Sequence, residues 1–230
     1  MSTAPSIKNS MKELFEGERI TRSFRKGEYV FQQGSPAKEL FLLLHGKVQI
    51  GKLIPDGREL SLRICGKDDI LAEFAFFDQD TSYLSNAKVL EDAEVLVITK
   101  EYMEEQLSAH PSRMVKWFQH SQIEHLKTQS KLRDLILHGK KGAVYSTLIR
   151  LCNTFGKQTA DGITLDISLT NQEVASLCGT SREVVNRMLS ELKKENVVVT
   201  KDSQLIIQNL DYLKEAIDCD NCPIEICQID

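Results

Sequence analysis

Cys219, Cys222 and Cys227 stand in a C-x2-C-x4-C run within the last thirteen residues, half of the six cysteines in the chain. A thiolate is a soft ligand, and two cysteines separated by two residues grip one metal centre from a single turn of backbone. The stretch is too short to build a core of its own. Three thiols there point to a metal centre completed by a fourth ligand from elsewhere, and to a candidate sensor. Two other chemistries use the same side chains: a structural zinc site, which accepts three thiolates and one oxygen ligand, and a thiol–disulfide switch. Cys65, Cys152 and Cys178 fall among apolar residues or on helical positions and read as buried thiols.

A second constellation lies just before the tail. Thr170-Asn171-Gln172-Glu173 has the form of a capping box. A short helix through Leu177 follows, then Gly179 in a tight turn, then Ser181 as a new N-cap. The next helix turns Val184, Val185, Met188, Leu189 and Leu192 mostly inward, and Arg182, Glu183, Asn186 and Arg187 outward near its start. Val197-Val198-Val199 and Leu205-Ile206-Ile207, separated by Lys201-Asp202-Ser203, read as a β-hairpin wing. Polar side chains at the start of the second helix of such a pair suit base reading. Arginine offers a fork to guanine O6 and N7, and glutamate accepts from cytosine N4. Lys193 and Lys194 suit phosphates, which position without specifying.

The scaffold for these residues must come from 230 residues with 41% hydrophobic and 27% charged content, the balance of an ordinary globular protein. Apolar runs such as Leu40 to Leu44 are far too short to span a bilayer, so no membrane partner is expected. The N-terminus lacks a basic stretch followed by an apolar core, so no secretory signal is expected and the location is read as cytoplasmic, where thiols stay reduced. Net charge is −4, and residues 143–218 carry eight Lys/Arg against ten Asp/Glu. Contact with DNA must therefore come from local placement of positive charge.

Residues 20–100 show short β-rich runs at Tyr29-Val30-Phe31, Leu40 to Leu44, Val48-Gln49-Ile50, Leu60 to Ile64 and Ala93 to Ile98. Turn signals at Gly34-Ser35-Pro36, Gly46-Lys47, Pro55-Asp56-Gly57 and Gly66 to Asp69 separate them, which suits a small barrel or jelly roll. From Pro111 to His138 the period becomes helical, with an apolar seam of Met114, Val115, Phe118, Ile123, Leu126, Leu132, Leu135 and Ile136. Lys116, Glu124, Lys127, Lys131 and Arg133 flank it and are expected to face water or a partner helix. Such a seam fits pairing with a second copy, or packing on the chain's own β domain. Gly139-Lys140-Lys141-Gly142 marks a hinge. The fold class expected is α+β in four segments: a β-barrel domain over 1–110, a dimerisation helix and hinge over 111–141, a winged helix-turn-helix over 142–217, and a cysteine-rich tail over 218–230.

A β-barrel, a long helix and a winged head containing Ser181-Arg182-Glu183-Val184-Val185-Asn186-Arg187 together resemble the Crp/Fnr family of transcription regulators over nearly the whole chain. The R-E-x-x-x-R spacing resembles the family's recognition helix, which reads a TGTGA-type half-site. The resemblance implies that Arg182 and Arg187 contact guanines and Glu183 a cytosine, with Ser181 and Asn186 beside them. It also implies a cyclic-nucleotide-binding-like β domain, a homodimer on an inverted repeat of double-stranded DNA, and action on RNA polymerase.

Three signals are conceivable for such a regulator. In the family's nucleotide-binding members a Gly-Glu segment and a following Arg-Ser pair hold ribose and phosphate. The matching stretch here, Leu71 to Ser85, keeps Glu73, but no arginine occurs between Arg63 and Arg113. A cyclic phosphate would lose its bidentate partner, so no cyclic nucleotide is expected, and Phe74, Phe76 and Phe77 read as core. Haem is not expected, since His45, His110, His120, His125 and His138 form no attachment motif. The tail resembles the Gram-positive, Bacillus-type Fnr branch, whose cluster cysteines are C-terminal. That resemblance implies one [4Fe-4S] cluster per subunit on Cys219, Cys222 and Cys227, with an aspartate from the central region as fourth ligand. Asp134, the single acid between Glu124 and Asp161, takes that place. An oxygen ligand is harder and weaker than thiolate and leaves one corner of a cluster open to attack. The function implied is an oxygen-responsive regulator, mainly an activator of anaerobic respiration and fermentation genes. In it, oxygen would break the cluster, free the tail and lower DNA affinity. No nucleophile–base pair, P-loop or dinucleotide fingerprint occurs, so no enzymatic activity is expected.

Overall fold

The computed structural model describes residues 12–15, 20–54, 59–78, 80–201 and 204–230. The chain divides after Gln122 into two compact units. Among the described residues no helix is long and apolar enough to cross a membrane.

The first unit is built on an antiparallel sheet of six strands: β1 (Ile20–Phe24), β2 (Tyr29–Phe31), β3 (Glu39–Leu53), β4 (Glu59–Cys65), β5 (Ile70–Leu71) and β6 (Asn86–Thr99). β6 is central, pairing with β1, β2 and β3, while β3 also pairs with β4 and β5. Period-two alternation sends Phe41, Leu43, Val95 and Val97 into one core, and Leu40, Leu42, Leu96 and Ile98 into another on the opposite face. The continuous apolar run Leu40 to Leu44 is thus a strand covered on both sides. Met103 and Leu107 of α1 (Lys100–Ala109) fill the second core, with Met114 and Trp117 packed against it. Thr99 caps α1 by accepting from the Tyr102 amide at 3.1 Å.

Gly46-Lys47 differs from the sequence expectation. It is not a turn between two strands but an irregularity inside β3, which keeps pairing with β6 on both sides of register shifts between Leu43 and Val48. A Cβ at Gly46 would lie 2.4 Å from the Asp92 carbonyl oxygen, so only glycine lets the two strands approach there. The Pro55-Asp56-Gly57 turn falls outside the described residues.

Helix α2 (Pro111–Phe155) is interrupted at Gly139, whose φ of 56° and ψ of −145° are open to glycine and strained for any other residue. Of the apolar seam, Val115, Phe118, Leu126, Leu132, Leu135 and Ile136 are exposed. Lys127, expected to face water or a partner helix, is buried within the chain with its Nζ 2.9 Å from Glu124.

The second unit begins within α2. Ser130 and Asp134, before the break, pack with Ser146 and Arg150 after it. There follow β7 (Gly156–Thr159), β8 (Gly162–Leu165), α3 (Asn171–Leu177), α4 (Arg182–Lys194), β9 (Val198–Lys201), β10 (Gln204–Ile207) and α5 (Leu210–Glu215). The four strands form one antiparallel sheet in the order β7-β8-β10-β9. The expected wing is the β9–β10 pair, with Val199 opposite Ile206 and Val198 opposite Ile207. The β7–β8 hairpin lies outside the sequence expectation, because Gly156 to Thr159 is exposed throughout and carries no alternating apolar signal. The second unit buries Val144, Leu148, Val185, Leu192, Val198 and Leu213 among its core residues.

Candidate functional site

The reading head forms for local reasons. Thr170 Oγ1 accepts from the Glu173 amide at 3.2 Å, and Glu173 Oε2 accepts from the Thr170 amide at 2.7 Å, completing the capping box that starts α3. Ala175 is fully buried where α3 meets α4, and Gly179, at φ 60°, lies in the turn between them. Val185, Leu189 and Leu192 bury the inner face of α4 while Val184 and Met188 are half-buried. Ser181, Arg182, Glu183, Arg187, Lys193 and Lys194 are exposed.

Two details depart from the sequence expectation. Ser181 occupies the N-cap position but makes no side-chain capping bond. Asn186 is half-buried, with its side-chain oxygen accepting from the Asn171 amide group of α3 rather than pointing outward alone. The Glu183 carboxylate is held below its usual range by hydrogen bonds from its own backbone amide and from the Ser181 hydroxyl. Glu183 is therefore ionised and acceptor-only, a state that accepts a hydrogen bond from an amino group such as cytosine N4.

The tail after α5 is irregular, turned by positive φ at Asp218 (44°) and Asn221 (51°). Cys219 and Cys222 are half-buried and Cys227 is buried. Burial pushes the Cys227 thiol up to about 11, Arg150 opposes that, and the neighbouring Cys222 and Cys219 thiols add to it. The amides of Ile226 and Cys227 both donate to the Pro223 carbonyl at 3.0 Å. Three side chains of α2 reach the same stretch. Arg150 Nη1 donates to the Ile226 carbonyl at 3.1 Å, Asn153 Nδ2 donates to the Cys227 carbonyl at 2.7 Å, and Thr154 Oγ1 accepts from the Ile229 amide at 3.0 Å.

Asp134 is buried rather than solvated, and both its oxygens are engaged. Oδ1 accepts from Arg133 Nε at 3.0 Å and Nη2 at 2.8 Å. Oδ2 accepts from Ser146 Oγ at 2.5 Å and Arg150 Nη2 at 2.9 Å. Burial alone would raise its pKa, but the hydrogen bonds from Ser146, Arg133 and Arg150 outweigh it and hold the carboxyl below its usual range. Arg133 also pairs with Asp220 of the tail. Asp134 and the three tail cysteines thus belong to one compact unit. Among the described residues no three His, Cys, Asp or Glu side chains form a group that could hold a metal ion, and the partners of Asp134 are Arg133, Ser146 and Arg150. The donor chemistry fits an iron–sulfur centre all the same. Three thiols share one short turned segment, and an ionised carboxylate, a harder donor of the kind that would complete such a centre, lies on the same unit.

In the first unit, Glu73 is taken by Arg63, with Nη2 to Oε1 at 2.6 Å. Tyr83 is buried, stacks on Phe31 with centroids 4.1 Å apart, and donates its hydroxyl to the Glu39 carbonyl at 2.8 Å. Phe74 and Phe76 pack against the cores, but Phe77, expected in the core, is 57% exposed at a φ of 58°. The Phe77 amide donates to Glu104 Oε1 at 2.6 Å, and beside it the buried Lys100 Nζ binds the Asp78 carbonyl at 2.6 Å and Thr81 Oγ1 at 3.0 Å. Cys65, Cys152 and Cys178 are buried, and burial pushes Cys152 up to about 12 and Cys178 up to about 11.

Residues 21–110 match the family model for the cyclic nucleotide-binding domain, and residues 143–216 that for the Crp-like helix-turn-helix domain. The chain is 45% identical over 235 residues to the "Anaerobic regulatory protein" of Bacillus subtilis (strain 168), covering 100% of this chain and 99% of that one. It is 32% identical over 198 residues to the "Listeriolysin regulatory protein" of Listeria monocytogenes, covering 84% and 83%. Among solved structures, FixK2 from Bradyrhizobium japonicum shares the fold with a TM-score of 0.74 at 18% identity, covering 87% of this chain and 98% of that one. A covered β-sheet unit, a long broken helix and a winged head that presents arginines on its second helix are the parts these matches span, and the chain belongs to the Crp/Fnr family of transcription regulators, DNA-binding proteins and not enzymes.

Proposed function

We propose that this chain is an oxygen-responsive regulator that holds one [4Fe-4S] cluster per subunit on Cys219, Cys222, Cys227 and Asp134. The observation that carries the reading is the full-length 45% identity to a protein named for anaerobic regulation, in a chain that puts three tail thiols and Asp134 on the DNA-reading unit. When bound, the cluster supplies an oxygen-labile joint between tail and helix. The chain's own residues do the rest. Ser146 and Arg150 orient the Asp134 carboxylate, and the turns at Asp218 and Asn221 bring Cys219 and Cys222 round.

The exposed seam of α2 pairs two copies, so that two α4 helices meet an inverted repeat of TGTGA type about one helical turn apart. On each half-site Arg182 and Arg187 donate to guanines and Glu183 accepts from cytosine. Bound there, the dimer acts on RNA polymerase, mainly as an activator of anaerobic respiration and fermentation genes. Cyclic nucleotide is not the signal: the Glu73 carboxylate is occupied by Arg63 and no arginine between Arg63 and Arg113 offers a phosphate partner.

Anaerobic purification followed by visible absorption, iron and sulfide analysis tests this. The expected result is a coloured protein with about four irons and four sulfides per chain, whose binding to the inverted repeat falls on exposure to air. A colourless protein carrying stoichiometric zinc rejects the cluster.

A further inference from the structure

Arg150, Asn153 and Thr154 lie at i, i+3 and i+4 on α2, which places them on one face of the helix. Each bonds a backbone group of the tail: the Ile226 carbonyl, the Cys227 carbonyl and the Ile229 amide. The contacts involve no thiol. Arg150 is 1% exposed and its other bonds go to Ser130 Oγ at 2.8 Å, Ser146 Oγ at 3.1 Å and Asp134. Withdrawing the tail would strip Arg150 Nη1 of its acceptor inside a buried site, and an unmet buried donor is costly. It would also uncover Cys227 and Ile229, which are 8% and 1% exposed.

We propose that this helix face is a docking site for residues 226–229 that holds them with no metal bound, and that Arg150, Asn153 and Thr154 are positioning residues for Cys227. Two classes of cysteine follow. Cys227 is set in place by three bonds from the buried side of α2, whereas the turned segment of Cys219 and Cys222 is tied by the Cys219 amide to the Lys214 carbonyl at 3.0 Å and by Asp220 to Arg133 at the surface. Loss of whatever the thiols bind then loosens residues 218–225 and leaves 226–229 seated, so the signal is carried by the first part of the tail. The docking does not rest on the cluster reading, because its bonds are those of the polypeptide alone.

Hydrogen exchange of the full-length protein, freed of metal with chelator under reductant, tests this by mass spectrometry. The Ile229 amide is the direct reporter. It is expected to exchange at least about tenfold slower than an unprotected amide. Thr154→Val and Asn153→Ala should each erase most of that protection while leaving exchange in α3 and α4 unchanged, which shows that the unit is still folded. Neither variant removes a metal donor. Free exchange of residues 226–229 in metal-free wild-type protein overturns the proposal even if loading protects them, and that result leaves the cluster intact as a reading. Protection that survives the double variant overturns it too, since another surface must then hold the tail. A docked tail in a colourless zinc protein separates the two ideas the other way.

Discussion

Asp134 and Arg150 form a buried ion pair across the break in α2, Oδ2 to Nη2 at 2.9 Å, with side chains 7% and 1% exposed. Ser146 to Asp134 and Arg150 to Ser130 cross the same break, so four polar side chains tie the helix before Gly139 to the helix after it. Polar groups buried this completely stabilise a unit only while every partner is present.

That sets the expected behaviour of Asp134 variants. Asp134→Ala leaves the Arg150 guanidinium buried and unpaired, which typically costs about 3–5 kcal/mol. The midpoint of urea unfolding of metal-free protein should fall accordingly. Metal loss in this variant therefore does not by itself assign a ligand. Asp134→Asn keeps the volume and one acceptor oxygen but removes the charge. It should lose much less stability than Asp134→Ala, yet release its cluster faster than wild type to a chelator. If Asp134→Asn retains the cluster as wild type does, Asp134 is a structural partner of Arg150 and not a ligand.

The exposed side chains of α2 make a second expectation. Leu132 and Ile136 are 54% and 68% exposed and lie one turn apart. A charge at either position is incompatible with a dry helix–helix seam. Leu132→Glu and Ile136→Glu should shift the protein to monomer in sedimentation experiments and weaken binding to the full inverted repeat. Thermal stability of the isolated chain should change little, since the positions are already solvated. A dimer that persists in both variants places the partner contact elsewhere.

Alkaline pH gives a third. Burial is the main cause that pushes the Tyr83 hydroxyl up to about 12, above the ordinary value of about 10. The folded state therefore holds that proton more tightly than the unfolded chain. Its stability is complete below about pH 10 and is lost as pH rises from there towards 12. Tyr83→Phe should flatten this part of the curve of melting temperature against pH. The buried Cys65 thiol, also raised by burial, keeps some of the slope. The same variant loses the bond to the Glu39 carbonyl, worth about 1 kcal/mol at neutral pH. An alkaline limb equally steep with phenylalanine would remove Tyr83 from it.

How far these features could be foreseen follows sequence distance. The capping box, Gly179 and the apolar spacing of α4 lie within some twenty-five residues, and the reading head they specify is where local signals placed it. Asp134 on a helix between Arg133 and Leu135 looks like a solvated acid. It is buried against Ser146 and Arg150, and Arg150 in turn bonds a tail whose docking no local pattern announces. Gly46 breaks an apolar alternation just as a hairpin turn does, and only the continued pairing of β3 with β6 distinguishes the two. Phe77 shows the complementary limit. Its side chain is apolar, but its amide is taken by Glu104 and its backbone adopts a positive φ, and the ring faces solvent.

The recognition helix supports the sharpest expectation. Arg182 and Arg187 are exposed on α4 with the ionised Glu183 between them in sequence, and an arginine fork on guanine O6 and N7 discriminates between bases while one on phosphate does not. Arg182→Ala and Arg187→Ala should each cost about 1–3 kcal/mol on the cognate repeat and much less on random DNA. Lys193→Ala and Lys194→Ala, at the far end of the same helix, should weaken both DNAs alike and lower the salt dependence of binding by about one phosphate contact each. Titrating cognate and random duplexes at two salt concentrations separates the classes. Equal losses on both duplexes for Arg182→Ala would move that arginine from the bases to the backbone. Glu183→Gln completes the set, because it keeps the shape and removes the charge that makes the side chain acceptor-only. It should relax discrimination at the cytosine position while leaving affinity for the remaining bases near that of the wild type.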